Sequence, residues 1–111
     1  MLYVYKAKLD RVIDGDTVDA TIDLGFNTWA FRRIRLAGID APETRTRDLV
    51  EKQAGFASKE RLEALLGPVG SPFVLHSLSL DKYGRVLGVL WVDDKNINDT
   101  LLQEGHAEIY R

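Results

Sequence analysis

Apolar and β-branched residues recur at about every second position from Leu2 to Ile13 and again from Thr17 to Leu24, the alternation of strands that bury one face. Asp14-Gly15 joins them, since both residue types favour tight turns. A third strand is predicted over about Thr28 to Ile39, entered through a Gly25-Phe26-Asn27 hairpin turn. Pro42 ends it, because its ring pushes Ala41 into an extended conformation. From Leu49 to Leu66 the spacing turns helical: Ala54, Ala57, Leu62, Leu65 and Leu66 form one stripe, with charged residues between them. Asp48 is placed to cap this helix and Gly67-Pro68 to stop it. Two more strands, about Phe73 to Leu80 and Val86 to Val92, are linked through Asp81-Lys82-Tyr83-Gly84. Asp94 or Asn96 could then cap a short last helix over Asn98 to Glu104, ended by Gly105. Trp29, Trp91 and Phe73 fall in strand patterns and are assigned to the core or the barrel surface.

Three strands, a helix, two strands and a helix describe a mainly β protein. The order suits a five-stranded OB-fold barrel with a helix between strands 3 and 4 and a short C-terminal helix. A split sheet packed on helices would give a similar string, but here the helix interrupts an otherwise meandering set of strands. No repeat, low-complexity tract or linker divides the 111 residues, so 1–111 is read as a single domain large enough for one core. The absence of cysteine excludes thiolate metal sites and disulfides, and the wide separation of His76 and His106 argues against a zinc site. No apolar run reaches membrane-spanning length, and Met1-Leu2-Tyr3-Val4 lacks the features of a signal peptide. The expectation is a cytoplasmic chain, unless a leader has been trimmed, with no membrane partner.

Seventeen acidic residues against 15 basic ones give a net charge of −2, which disfavours a polyanionic partner. The distribution changes that picture. Arg32, Arg33, Arg35, Arg45 and Arg47 crowd one stretch against Asp40 and Glu43, while Asp93, Asp94, Asp99, Glu104 and Glu108 gather towards the C-terminus. A local positive field can steer a phosphate in spite of the acidic total.

Three clusters carry candidate chemistry: Asp14-Gly15-Asp16-Thr17, the run from Arg35 to Glu43, and Asp81-Lys82-Tyr83-Gly84-Arg85. The first alone reads as a β-turn, but a second aspartate exceeds what a turn requires. Adjacent carboxylates repel unless a cation or an arginine lies between them, and such a turn can offer oxygens to calcium. Asp40 would be a second metal ligand and Ala41 a backbone carbonyl ligand, with Glu43 set to orient or deprotonate a water. On a regular strand Arg35 and Asp40 point to opposite faces, so a bulge or bend is predicted near Gly38. Arg35 and Arg85 are rigidly placed guanidinium groups that can grip phosphate oxygens in pairs and stabilise a pentacoordinate transition state. Tyr83 could be a surface residue, or could hydrogen-bond to or stack on a substrate. Oxygen ligands alone admit Ca²⁺, Mg²⁺ or Mn²⁺, and the irregular loops lean towards the larger ion.

On these clusters the chain resembles the staphylococcal (thermonuclease-like) nuclease family, with Val50-Glu51-Lys52 and Leu101-Leu102-Gln103-Glu104-Gly105 extending the likeness over most of its length. The resemblance implies an OB barrel that hydrolyses DNA and RNA with Ca²⁺ and leaves 3′-phosphate ends, on single-stranded or frayed substrate. It implies that Asp16, Asp40 and the Ala41 carbonyl bind the ion. Asp14 would support them through water, and Thr17 would hold the turn. Glu43 becomes the base or water-orienting group, Arg35 and Arg85 bind the scissile phosphate with Arg85 towards the leaving 5′ oxygen, and Lys82 and Tyr83 lie along the nucleotide pocket. Tyr110 could stand in for the family's base-stacking tyrosines. Departures are Ala41 in place of the usual threonine, a lysine-rich loop reduced to Arg45 and Arg47, and the acidic net charge. The sequence also stops before the family's last helix, which implies a core closed differently or a partner that covers it. The alternatives are a non-catalytic OB-fold nucleic-acid-binding module and a scaffold domain. A pure binder, however, has no use for Asp16, Asp40 and Glu43 beside a phosphate, and a scaffold no use for both arginines.

Overall fold

The structure, a computed structural model, describes residues 3–110. Its elements are β1 (Tyr3–Asp14), β2 (Thr17–Asp23), β3 (Trp29–Leu36), β4 (Ile39–Asp40), α1 (Leu49–Leu66), β5 (Pro72–Leu80), β6 (Val86–Val92), β7 (Lys95–Asn96), α2 (Ile97–Gln103) and β8 (Glu108–Ile109). The expected start of the first strand at Leu2 lies outside the described residues.

β3, β2, β1, β5 and β6 pair in that order, all antiparallel, and β3 meets β6 in parallel to close a five-stranded barrel. This is the OB arrangement, with α1 between the third and fourth barrel strands. Two register slips in β1, between Leu9 and Arg11 and between Val12 and Asp14, bend the strand. They also shift its inward positions from odd (Ala7, Leu9) to even (Val12). Inside the barrel Val18, Ile34, Leu36, Leu75 and Leu90 are fully buried, and Leu62 of α1 with Ile97 and Leu101 of α2 extend that core at its end. Among the described residues no helix is long and apolar enough to cross a membrane.

Three details correct the sequence reading. The third strand does not run to Ile39: β3 ends at Leu36, and a turn through Ala37 and Gly38 (φ +77°) leads into β4. Gly38 supplies the left-handed conformation that a side chain would disfavour. The inward stripe of α1 is Gly55, Ser58, Leu62 and Leu66, not one built on Ala54 and Ala57, which are exposed. Small residues win there because neighbouring backbone comes very close. A Cβ on Gly55 would stand 2.5 Å from the Glu43 carbonyl oxygen, and one on Gly15 would stand 2.6 Å from Ser58 Cβ. The last helix begins one residue earlier than expected, at Ile97, and Asn96 rather than Asp94 caps it, accepting from the Asp99 amide at 3.0 Å. Asp48 caps α1 as anticipated, its carboxylate accepting from the Val50 and Glu51 amides. Phe73 is core, while Trp29 and Trp91 lie on the barrel surface.

Candidate active site

The turn from β1 to β2 presses Gly15 against α1 and turns the Asp16 carboxylate inward, where it is only 7% exposed. A buried carboxylate demands donors. Thr17 Oγ1 donates to Asp16 Oδ1 and the Ala41 amide to Asp16 Oδ2, both at 2.9 Å. Thr17 therefore holds this carboxylate directly, and Ala41 brings the start of the next loop against it. The Asp16 carbonyl accepts from the Leu36 amide at 2.8 Å, tying the turn to β3.

The turn at Gly38 solves the parity problem between Arg35 and Asp40. It folds Asp40 back, so that Arg35 Nη2 lies 3.4 Å from Asp40 Oδ1 and 3.5 Å from Asp16 Oδ2. Arg35 Nη1 also donates to the Leu36 carbonyl at 2.9 Å, which fixes the fork. Asn98, buried at the start of α2, holds the turn from behind. Its Nδ2 donates to the Ala37 and Gly88 carbonyls while its Oδ1 accepts from the Leu90 amide. One side chain thus fastens α2, β6 and the bend between Arg35 and Asp40.

Arg85 enters from the turn before β6. Asp81 organises that turn: Oδ1 accepts from the Tyr83 and Arg85 amides, both at 2.9 Å, and Oδ2 takes Arg85 Nε at 2.6 Å. Burial pushes the Asp81 carboxyl up, but these amides and the guanidinium outweigh it and hold the group below its ordinary value of 3.8. The remaining guanidinium nitrogens of Arg85 stay available to a ligand. Lys82 Nζ and Arg85 Cζ lie 5.1 and 5.5 Å from the Tyr83 ring centroid. Opposite, β8 pairs with β4 and the Tyr110 amide donates to the Gly38 carbonyl, which sets the Tyr110 ring 5.6 Å from Arg35 Cζ. Arg35, Arg85, Lys82, Tyr83 and Tyr110 line a single groove of about 420 Å³.

Glu43 is exposed and does not line this groove. It lines an adjoining acidic hollow of about 340 Å³ with Asp40, Glu51 and Glu108. Asp40, ion-paired to Arg35 yet lining the hollow, sits at the boundary between the two. Asp14 accepts from Thr44 Oγ1 at 2.7 Å and so secures the loop just after Glu43. Sequence reasoning missed Thr44, Gly55 and Asn98, whose partners are remote in the chain. The bracing role of Asp81 had a local signal, an aspartate two residues before a turn amide.

Among the described residues no three acidic or histidine side chains converge as a metal-holding group. The donor set nonetheless fits a hard cation completed by water. Asp16 and Asp40 converge on one guanidinium nitrogen, every donor is oxygen, and the two carboxylates exceed the charge of Arg35.

The closed OB barrel thus gathers two arginines, two tyrosines and a carboxylate pair at one opening, a set of groups chemically suited to a phosphate ester. The chain is a member of the staphylococcal nuclease homologue family, whose model matches residues 33–111. It is 34% identical to the Escherichia coli Protein ParB over 116 residues, covering 96% of this chain and 58% of that protein. It is 34% identical to the SPbeta prophage-derived endonuclease YokF of Bacillus subtilis over 103 residues, covering 91% of this chain and 33% of the relative. With the micrococcal nuclease of Shigella flexneri it shares 30% identity over 116 residues, 96% of this chain and 59% of the other. The chain therefore spans between a third and three-fifths of the length of these relatives.

Proposed function

We propose that the chain is a Ca²⁺-dependent nuclease that hydrolyses phosphodiester bonds of DNA and RNA and leaves 3′-phosphate ends. The observation that carries this reading is the pair of arginines across one groove, each braced by a carboxylate, with an acidic hollow beside it. Arg35 and Arg85 bind the scissile phosphate and stabilise the charge that builds on it in the transition state. Arg85 faces the leaving 5′ oxygen. Glu43, as general base or by orienting a water, directs the attack on phosphorus. Tyr83, Tyr110 and Lys82 hold the flanking nucleotide, the rings by stacking and the ammonium by charge.

Asp16, Asp40 and the Ala41 carbonyl would hold the ion, supported by Thr17 and, through water, by Asp14. A bound Ca²⁺ supplies positive charge that neutralises the phosphate and offsets the acidic hollow. The nuclease names of two of the relatives support the phosphodiesterase reading.

Incubation of denatured DNA and of RNA with Ca²⁺, with Mg²⁺ and with chelator tests it. Cleavage that requires Ca²⁺, with 3′-phosphate termini and a loss of ~10²-fold or more in Glu43→Ala, is expected. Nucleic-acid binding without cleavage under every condition would assign the chain to the non-catalytic OB modules instead.

A further inference from the structure

β3 runs without a register slip from Trp29 to Leu36, so Trp29, Phe31, Arg33 and Arg35 all stand on one face of it. Arg35 is the groove arginine. Phe31 is 74% exposed and Trp29 47% exposed, both large rings in water on a strand that β6 covers only from Ile34 to Leu36. Exposed rings on a half-free strand invite aggregation unless they serve a partner. Basic residues slightly outnumber acidic ones along the face: Lys8, Arg11, Arg32 and Arg33 against Asp10, Asp19 and Asp23, the last of which accepts from the Gly25 amide at 2.8 Å. Lys8 Nζ lies 5.1 Å from the Trp29 ring centroid, and Arg11 and Arg33 line a hollow of about 600 Å³ with Phe31. Asp19, the acidic residue paired opposite Arg33, is already neutralised: the Arg33 fork donates to both its oxygens at 2.8 and 3.1 Å and holds its carboxyl below the usual value. Asp10 is engaged by Thr21 Oγ1 at 2.9 Å.

We propose that this outward face of β3, from Arg35 through Phe31 to Trp29, is a stacking track for a single nucleic-acid strand that continues out of the catalytic groove. At about 3.3 Å per residue the two rings stand about 13 and 20 Å from Arg35. That reach suits the lower end of the roughly 4–16 nucleotides an OB barrel contacts. A duplex does not fit the chemistry, because its bases already stack on one another and cannot lie on Phe31 or Trp29. A single strand offers a free π-face at every base and phosphates for Lys8, Arg11 and Arg32.

The placement of the scissile phosphate rests on the nuclease reading above; the track itself does not. Two measurements on the full chain therefore separate them. Fluorescence anisotropy of a labelled oligothymidylate of about 12 nucleotides, in chelator, compares the wild type with Trp29→Ala/Phe31→Ala. Affinity is expected to fall on the order of tenfold for each ring removed. Wild-type affinity in the double variant overturns the track. In the second measurement the ratio of kcat/KM for that oligomer to kcat/KM for a dinucleotide, too short to reach the hairpin, is expected to collapse in the variant. An unchanged ratio in an active enzyme also overturns the proposal. Absence of all cleavage removes the catalytic reading and leaves the anisotropy result to decide the track. If the double variant instead abolishes self-association and keeps its oligothymidylate affinity, the face belongs to a second copy of the chain and the proposal is wrong.

Discussion

The Glu43 carbonyl oxygen lies where Gly55 leaves room for it: a Cβ on that glycine would stand 2.5 Å away. The loop that carries the proposed base is thus seated in a notch of α1. Gly55→Ala should gain up to about 1 kcal/mol of helix propensity and lose about 1–3 kcal/mol to crowding, so its melting curve should move little or fall modestly. Turnover should fall far more, by about tenfold or beyond, if the proposed base Glu43 is displaced with its loop. Measuring kcat alongside the melting curve checks this; wild-type kcat would show that the notch does not position Glu43.

Asn98 has a different kind of influence, through hydrogen bonds to the Ala37 and Gly88 carbonyls and from the Leu90 amide. Asn98→Ala strands these buried groups and should cost about 2–4 kcal/mol, which thermal denaturation reads as a drop on the order of 10 °C. Asn98→Asp should do no better, since a carboxylate cannot donate to either carbonyl. A stability loss in Asn98→Asp much smaller than in Asn98→Ala would contradict this assignment.

Asp81 links stability to acid. Its carboxyl is held below the ordinary 3.8, so above that value its contribution is fully present, and it is lost as pH falls through the lower folded-state value. Denaturant midpoints measured from pH 6 downward should decline below about pH 4, and Asp81→Asn should flatten that decline. The same variant should lose about tenfold or more in turnover at neutral pH, because the Arg85 guanidinium is no longer braced. If the acid profile of Asp81→Asn matches that of the wild type, the brace is not where the stability lies.

Calcium should stabilise the fold. At a concentration 100 times its Kd, an ion that binds only the folded chain adds about 2.7 kcal/mol. Wild-type protein should show this as a rise in melting temperature that chelator reverses. Asp40→Ala, which changes an exposed side chain, should fold and yet show little of that rise. An undiminished shift in this variant would place calcium elsewhere.

What could be read from the sequence was local. Alternation in β2, β5 and β6, the Asp48 cap and the turn residues at Gly25-Phe26-Asn27 are each decided by a few neighbouring positions, and the structure keeps them. Parity alone demanded an irregularity between Arg35 and Asp40, and the Gly38 turn supplies it. The inward face of α1 was misread because hydrophobicity marks Ala54 and Ala57, whereas closeness of approach, which only the tertiary structure sets, selects Gly55 and Ser58. β4, β7 and β8, two residues each, have too little length for any periodicity. The division of the site into an arginine groove and an acidic hollow was equally hidden, since it depends on which way the loop after Asp40 leaves the barrel.

The parallel seam between β3 and β6 has a consequence for folding. Its register sets Arg35 beside Leu87, two residues beyond Arg85, so the two groove arginines become neighbours only when the barrel shuts. That closure joins strands some fifty residues apart in the chain, with α1 and β5 between them, a contact whose loop entropy makes it late and slow to form. A chain caught before this step would hold most of its hydrogen-bonded strands yet lack the proposed phosphate grip, and would bare two strand edges to other chains. Recovery of activity during refolding is therefore a clock for the last zip of the barrel, and should lag behind the return of its secondary structure.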